Sequence, residues 1–120
     1  MPIRLNRPHK YGATAVVIDG IRFPSTAEAT RYGELKILER AGEIRGLELQ
    51  PGYDLTTNGV RIGAYRADFK YEKSYRVWKD GSVFENWRTV VEDKKGFRTP
   101  LYKWKKRHVE AEYDITIRET

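Results

Sequence analysis

Three polar features fall where a sheet-forming chain should be apolar. Asp68 sits within Tyr65-Arg66-Ala67-Asp68-Phe69. Burying an isolated carboxylate is costly, so an Asp there needs a partner or a metal, unless it lies at a strand end or on the wet face beside Arg66. Further on, Val90-Val91 leads straight into Glu92-Asp93-Lys94-Lys95-Gly96. Strand side chains alternate faces, so Asp93 and Lys95 project together, and Glu92 and Lys94 project together on the other side. Either pair spells acid-x-Lys, and either also describes a strand leaving the core into a charged, glycine-ended loop. The third feature is Glu28, which completes a Ser-x-x-Glu capping box opened by Ser25. Glu28 also precedes Tyr32 by four residues and Leu35 by seven, which puts it on the core-facing stripe of the same helix. Both roles stay open at this point.

Asp68 and Asp93 are 25 residues apart. On neighbouring strands they can converge, with a lysine two positions beyond the second. Two carboxylates suit Mg²⁺ (or Mn²⁺), a hard ion that prefers oxygen ligands and keeps waters for a substrate phosphate. Such an ion lowers the pKa of a bound water and neutralises charge on an attacked phosphate, while a nearby lysine adds a point charge. This chemistry needs neither Cys nor His. The 120 residues contain no Cys and two His, at positions 9 and 108, which excludes disulfides, thiolate catalysis, Cys-based metal sites and a multi-histidine centre.

The elements that must position these residues are readable from local signals. Residues 1–14, with Pro2, Pro8 and Gly12, form a basic N-terminal arm, and 15–120 form a single domain. Asp19-Gly20 joins two short strands in a tight hairpin. A helix starts at Ser25 and stops at Ala41-Gly42, with Tyr32, Leu35 and Leu38 as its apolar stripe. Strands are expected over 53–56, 62–71, 75–79 and 88–93, with turns at Asn58-Gly59 and Asp80-Gly81. Thr99 with Pro100 opens a second helix to about Ala111. Leu101, Trp104, His108 and Ala111 are its expected inward stripe, with Lys103, Lys106 and Arg107 opposite, and Ile115 and Ile117 mark a closing strand. Trp87 and Trp104 are expected in the core, and His108 as a partly buried helix residue. The sum is an α/β sheet with helices packed on it.

The formal charge is +6, from 23 Lys plus Arg against 17 Asp plus Glu. Its distribution is uneven. Arg4, Arg7, His9 and Lys10 precede the first acid, Asp19, and residues 98–107 carry five cations and no acid. Clustered cations suit a polyanion, because binding releases its counterions. Arg4, Arg7, Lys10, Arg98, Lys103, Lys106 and Arg107 are the candidate contacts to nucleic-acid phosphates; simple solvation is the alternative for each. No apolar run is long enough to span a membrane and the N-terminus has no signal-peptide stretch, so the expected location is the cytoplasm with no membrane partner.

In these segments the chain resembles the PD-(D/E)XK nuclease superfamily, and within it a family of small phage-encoded proteins similar to Holliday junction resolvases. The likeness covers about residues 10–118, through Lys10-Tyr11-Gly12, Phe23-Pro24-Ser25-Thr26-Ala27-Glu28-Ala29, Leu49-Gln50-Pro51, Ala67-Asp68-Phe69 and Glu92-Asp93-Lys94-Lys95-Gly96. It implies a restriction-endonuclease-like core in the order αβββαβ: a central mixed sheet of four to five strands flanked by two helices, here preceded by the hairpin. It further implies a Mg²⁺- or Mn²⁺-dependent endonuclease cutting DNA phosphodiesters, selective for branched DNA and acting as a homodimer, since two symmetric cuts require two sites. Carried over by position, Glu28 resembles the first-helix acid, Asp68 the central metal-binding aspartate, Asp93 the second metal-binding acid and Lys95 the motif lysine, with the Lys94 carbonyl completing the metal shell. Ala67 departs from the motif by standing where its name has proline. Glu92 with Lys94 is the competing register; Gly96 directly after Lys95 favours Asp93 with Lys95. The rival class is a non-catalytic basic nucleic-acid-binding module, in which these acids form structural pairs.

Overall fold

The computed structural model describes residues 15–94 and 98–120. Its order is β1 (Val16–Ile18), β2 (Ile21–Phe23), α1 (Thr26–Arg40), β3 (Ile44–Leu49), β4 (Gly52–Thr57), β5 (Val60–Arg66), β6 (Phe69–Lys79), β7 (Ser82–Asp93), α2 (Pro100–Tyr113) and β8 (Ile117–Glu119). The fold is α/β. A four-stranded mixed sheet runs β3-β6-β7-β8, antiparallel except for the parallel β7–β8 pair. The pairs β1–β2 and β4–β5 form two further two-stranded sheets, so the described residues hold more strands than the single expected sheet.

Local signals set the element ends. Ser25 caps α1 by accepting the Glu28 amide at 3.2 Å, and Thr99 caps α2 by accepting the Tyr102 amide at 3.0 Å, with Pro100 in the first turn. Asp80-Gly81 joins β6 to β7 with φ of 51° and 77°, the left-handed pair that a two-residue hairpin turn requires.

The expected strand over 62–71 is two strands. β5 pairs with β4 and ends at Arg66, whereas β6 pairs with β3 and β7 from Phe69 onward. At the junction the Ala67 amide donates to the Pro51 carbonyl (3.1 Å) and the Asp68 amide to the Glu92 carbonyl (3.0 Å), so the chain changes sheets at these two residues. The expected strands over 75–79 and 88–93 are instead parts of one long hairpin in which β6 and β7 pair from Phe69↔Glu92 to Lys79↔Ser82.

The sheet carries a core on each face. Under α1 lie Phe23, Ala29, Tyr32, Leu35, Ile44, Phe69 and Tyr71. Under α2 and the β4–β5 hairpin lie Leu55, Tyr65, Ala67, Val91, Tyr102, Val109 and Ile117. The inward residues of α2 are therefore Tyr102 and Val109. Leu101 is 60% and Trp104 46% exposed, a correction to the expected stripe. The packed stripe is set by Tyr102, whose hydroxyl reaches Glu119 at 2.7 Å while its ring packs against Tyr65. Trp104 instead meets the His108 ring edge-on, and Trp87 is half-buried beneath the Arg45 guanidinium.

Candidate functional site

β7 ends on three buried residues, Val91, Glu92 and Asp93, and alternation sends them to opposite faces. Glu92 stands opposite Phe69 and faces α1. Arg31 of α1 grips it with two parallel hydrogen bonds, Nε to Oε1 at 2.8 Å and NH2 to Oε2 at 2.7 Å, and the Tyr71 hydroxyl donates to Oε2 as well. Burial pushes the Glu92 carboxyl up, but the Arg31 and Tyr71 hydrogen bonds outweigh it and hold the group below the usual carboxylate range. The Arg31 guanidinium is correspondingly raised, chiefly by its hydrogen bonds to Glu92. Burial and the Glu92 carboxylate push the Tyr71 hydroxyl up to about 12. This is a satisfied bidentate ion pair, and it explains the acid without any metal.

Asp93 points to the other face. It is 1% exposed and accepts from the Tyr65 hydroxyl in the core shared with Val91 and Tyr102. Burial, then the hydrogen bond to Asp93, raises the Tyr65 hydroxyl far above its ordinary value; burial and Glu119 do the same for Tyr102. Both rings therefore stay protonated at neutral pH, and Tyr65 acts on Asp93 as a fixed donor.

Asp68 is bound to the same end of β7 from across the sheet. Its amide donates to the Glu92 carbonyl, and its Oδ2 accepts the Lys94 amide at 2.6 Å, so its bonds bracket Asp93 on both sides. The β6–β7 pairing begins at Phe69↔Glu92, so Asp68 is the residue just before β6 and Asp93 the last residue of β7. The alternative pairing of Asp68 with Arg66 is not the one formed; Arg66 is exposed.

The expected set is thus brought together in part. Asp68, Asp93 and the backbone of Lys94 meet at one end of the β6–β7 pair. Glu28 is buried on α1, the helix over the opposite, Glu92-bearing face. Among the described residues no group of three or more His, Cys, Asp or Glu side chains is placed to hold one metal ion, so Glu28, Asp68 and Asp93 do not form the expected trio. Lys95 lies outside the described residues, as do Arg4, Arg7 and Lys10. Of the remaining expected DNA contacts, Arg98 and Lys106 both face Glu119, at 2.7 and 3.7 Å, while Lys103 and Arg107 are exposed on α2. His108, partly buried on α2, meets the Thr56 carbonyl at 3.0 Å and Glu112 at 3.2 Å.

Sequence reasoning missed Arg31, Tyr65 and Tyr71. Tyr65 alternates with Ala67, an inward signal, but which acid its hydroxyl meets depends on how β5 crosses to β6. Arg31 follows Glu28 by one helical turn, and only the packing of α1 on β7 shows that its partner is Glu92.

The chain belongs to a protein family of unknown function, DUF1064, whose pattern matches residues 8–119. Neither a curated protein nor a solved structure matches the chain.

Proposed function

We propose that this protein is a divalent-metal-dependent endodeoxyribonuclease that hydrolyses DNA phosphodiesters with Asp68, Asp93 and Lys95. One observation carries the proposal: Asp68 is bonded through both its amide and its carboxylate to the residues flanking buried Asp93. The element order supports it. With the β4–β5 hairpin set aside as an insertion, α1-β3-β6-β7-α2-β8 follows the αβββαβ order of a restriction-endonuclease-like core, β8 lying parallel to β7. Asp68 stands just before the second core strand and Asp93 ends the third.

The donor set fits a hard cation as a two-carboxylate site, with the Lys94 carbonyl as a third oxygen; Mg²⁺ keeps several waters and does not need an all-protein cage. It does not fit a site in which Glu28 is a direct ligand. A bound Mg²⁺ or Mn²⁺ would supply a water of lowered pKa and neutralise charge on the attacked phosphate. The protein's own part is to hold the acids: the Lys94 amide orients Asp68, and the Tyr65 hydroxyl, kept protonated by burial, orients Asp93. The Tyr65–Tyr102 wall closes the α2 side of Asp93 to solvent. The resemblance assigns Lys95 the point charge beside the reacting phosphate. The Arg31 pair on Glu92 supports the Asp93–Lys95 register over Glu92 with Lys94.

Selectivity for branched DNA and action as a homodimer extend the same proposal from the resemblance, and the cytoplasm, where DNA and free Mg²⁺ coincide, is the compartment such an enzyme requires. Among the described residues no helix is long and apolar enough to cross a membrane. The rival, a non-catalytic nucleic-acid-binding module, draws support from the lack of a three-acid group among the described residues. Cleavage of duplex, single-stranded and four-way DNA with Mg²⁺ or Mn²⁺ separates the two. The nuclease cuts only with metal and Asp93→Ala does not cut; metal-independent binding without cleavage supports the rival.

A further inference from the structure

The β6–β7 hairpin continues well past the sheet that roots it. Pairing with β3 stops at Lys73, and pairing with β8 starts only at Val91, so the outer part of the hairpin pairs only with itself. At about 3.4 Å per residue, the stretch from Ser74 to Lys79 projects roughly 20 Å. A two-stranded ribbon is marginal by itself, and this one exposes large side chains: Trp78 is 73% and Phe84 52% exposed.

Its two faces differ in charge. On the α1 side, Lys73, Tyr75 and Lys79 alternate along β6, facing Arg88, Asn86 and Ser82 across β7, with Val77 opposite Phe84. That face carries three exposed cations and no acid, and none of the three is in an ion pair with a described residue. Arg88 lies 4.7 Å from the centre of the Tyr75 ring. The other face pairs Arg76 with Glu85, and Glu72 with Arg45 at 3.1 Å, around Trp78 and Trp87, so its charges are balanced. At the root, the cationic face opens into a groove of about 350 Å³ lined by Arg31, Lys73 and Arg118, with Glu43 as the acid among its lining residues.

We propose that the α1-side face of this arm binds DNA with unpaired bases, Lys73, Lys79 and Arg88 meeting phosphates while Phe84 and Tyr75 stack on bases. Charge complementarity selects the occupant. A second copy of the chain docked face to face would stack these cations against themselves. Aromatic rings interleaved with cations are the pattern by which ribbons and sheets hold single strands, since every base offers a π-face. Of the proposed nuclease reading, this inference takes only the choice of DNA. The arm lies on the α1 side, whereas Asp93 lies on the α2 side, so the arm is a contact additional to the site.

Binding is measured in EDTA, where no cleavage occurs, with a fluorescent single strand and a duplex of the same length. The full-length protein is compared with Phe84→Ala, with the Lys73→Ala/Lys79→Ala/Arg88→Ala triple variant and with Arg76→Ala on the opposite face; all are exposed positions, and circular dichroism checks each fold. Loss of one stack is expected to weaken single-strand binding about 5- to 150-fold. Loss of three phosphate contacts is expected to lower the log–log salt slope by about 2 for single strands. Arg76→Ala is expected to leave affinity within about twofold. No binding by the parent protein, or triple-variant affinity equal to the parent's, overturns the proposal. So does a Phe84→Ala protein that binds DNA normally but changes from dimer to monomer in sedimentation, because the face is then a protein interface. Failure of the parent to cleave DNA with metal overturns the nuclease reading and leaves the arm result standing.

Discussion

Glu92 and Asp93 are neighbours in sequence, both acidic and both almost fully buried, yet they point to opposite faces and meet different partners. Glu92 meets a guanidinium in fork geometry and a tyrosine hydroxyl, so its charge is answered inside the fold. Asp93, at the end of its strand, accepts from the Tyr65 hydroxyl, and Asp68 is hydrogen-bonded to the backbone of the residues on either side of it. A buried carboxylate that already has an arginine is spent on structure. Burial alone therefore does not mark a site; the partners of each buried acid have to be read residue by residue.

Substitutions at the two positions should therefore separate activity from stability. Asp93→Asn or Asp68→Asn removes a carboxylate of the proposed metal site and is expected to lower metal-dependent cleavage by about 10²–10⁴-fold with little loss of fold, read by single-turnover cleavage beside a thermal melt. Arg31→Ala leaves Glu92 buried without its cation and is expected to cost about 3–5 kcal/mol of stability, on the order of 10 °C or more in Tm. Cleavage per folded molecule, measured well below that melt, should change little. Were Arg31→Ala to abolish cleavage while the melt stayed put, Glu92 would belong to the site and the contrast would be wrong.

The smallest effect expected is with pH. Glu39, Glu112 and Glu119 are all held below the usual carboxylate range: Glu39 first by Lys36, Glu112 first by the Thr56 hydroxyl and Glu119 first by the Tyr102 hydroxyl. A carboxyl depressed in the folded state stabilises it above the unfolded pKa of about 4.3, and loses that contribution as pH falls through the folded value. Urea midpoints should be flat from neutral pH down to about 5 and then fall. Glu119→Gln should reduce the fall, since its acceptor role toward Tyr102, Lys106 and Arg98 no longer titrates.

Much of this was legible in the chain because the signals are local. Ser25, Thr99-Pro100, Asp19-Gly20, Asn58-Gly59 and Asp80-Gly81 each set a cap or a turn within four residues, and each stands where expected. The break at Ala67-Asp68 was not legible, because Tyr65, Ala67 and Phe69 keep one apolar alternation while the chain leaves one sheet for another. For α2, Leu101, Trp104, His108 and Ala111 form a valid helical stripe, but the face that packs is chosen by what lies beneath it, Tyr65 and Val91, and these favour Tyr102 and Val109. Alternation likewise sends Glu92 and Asp93 to opposite faces without saying which helix covers which. That information lies in the order β3-β6-β7-β8, a long-range property.

Mn²⁺ titration by isothermal calorimetry tests the central claim most directly, because it asks about the site without requiring a substrate. The parent protein and Glu92→Gln, checked for folding at low temperature, are expected to bind Mn²⁺ with similar affinity, and Asp93→Asn is expected to lose that binding. Equal Mn²⁺ binding by the parent and Asp93→Asn, or loss of binding in folded Glu92→Gln alone, would contradict the assignment of the metal site to Asp68 and Asp93.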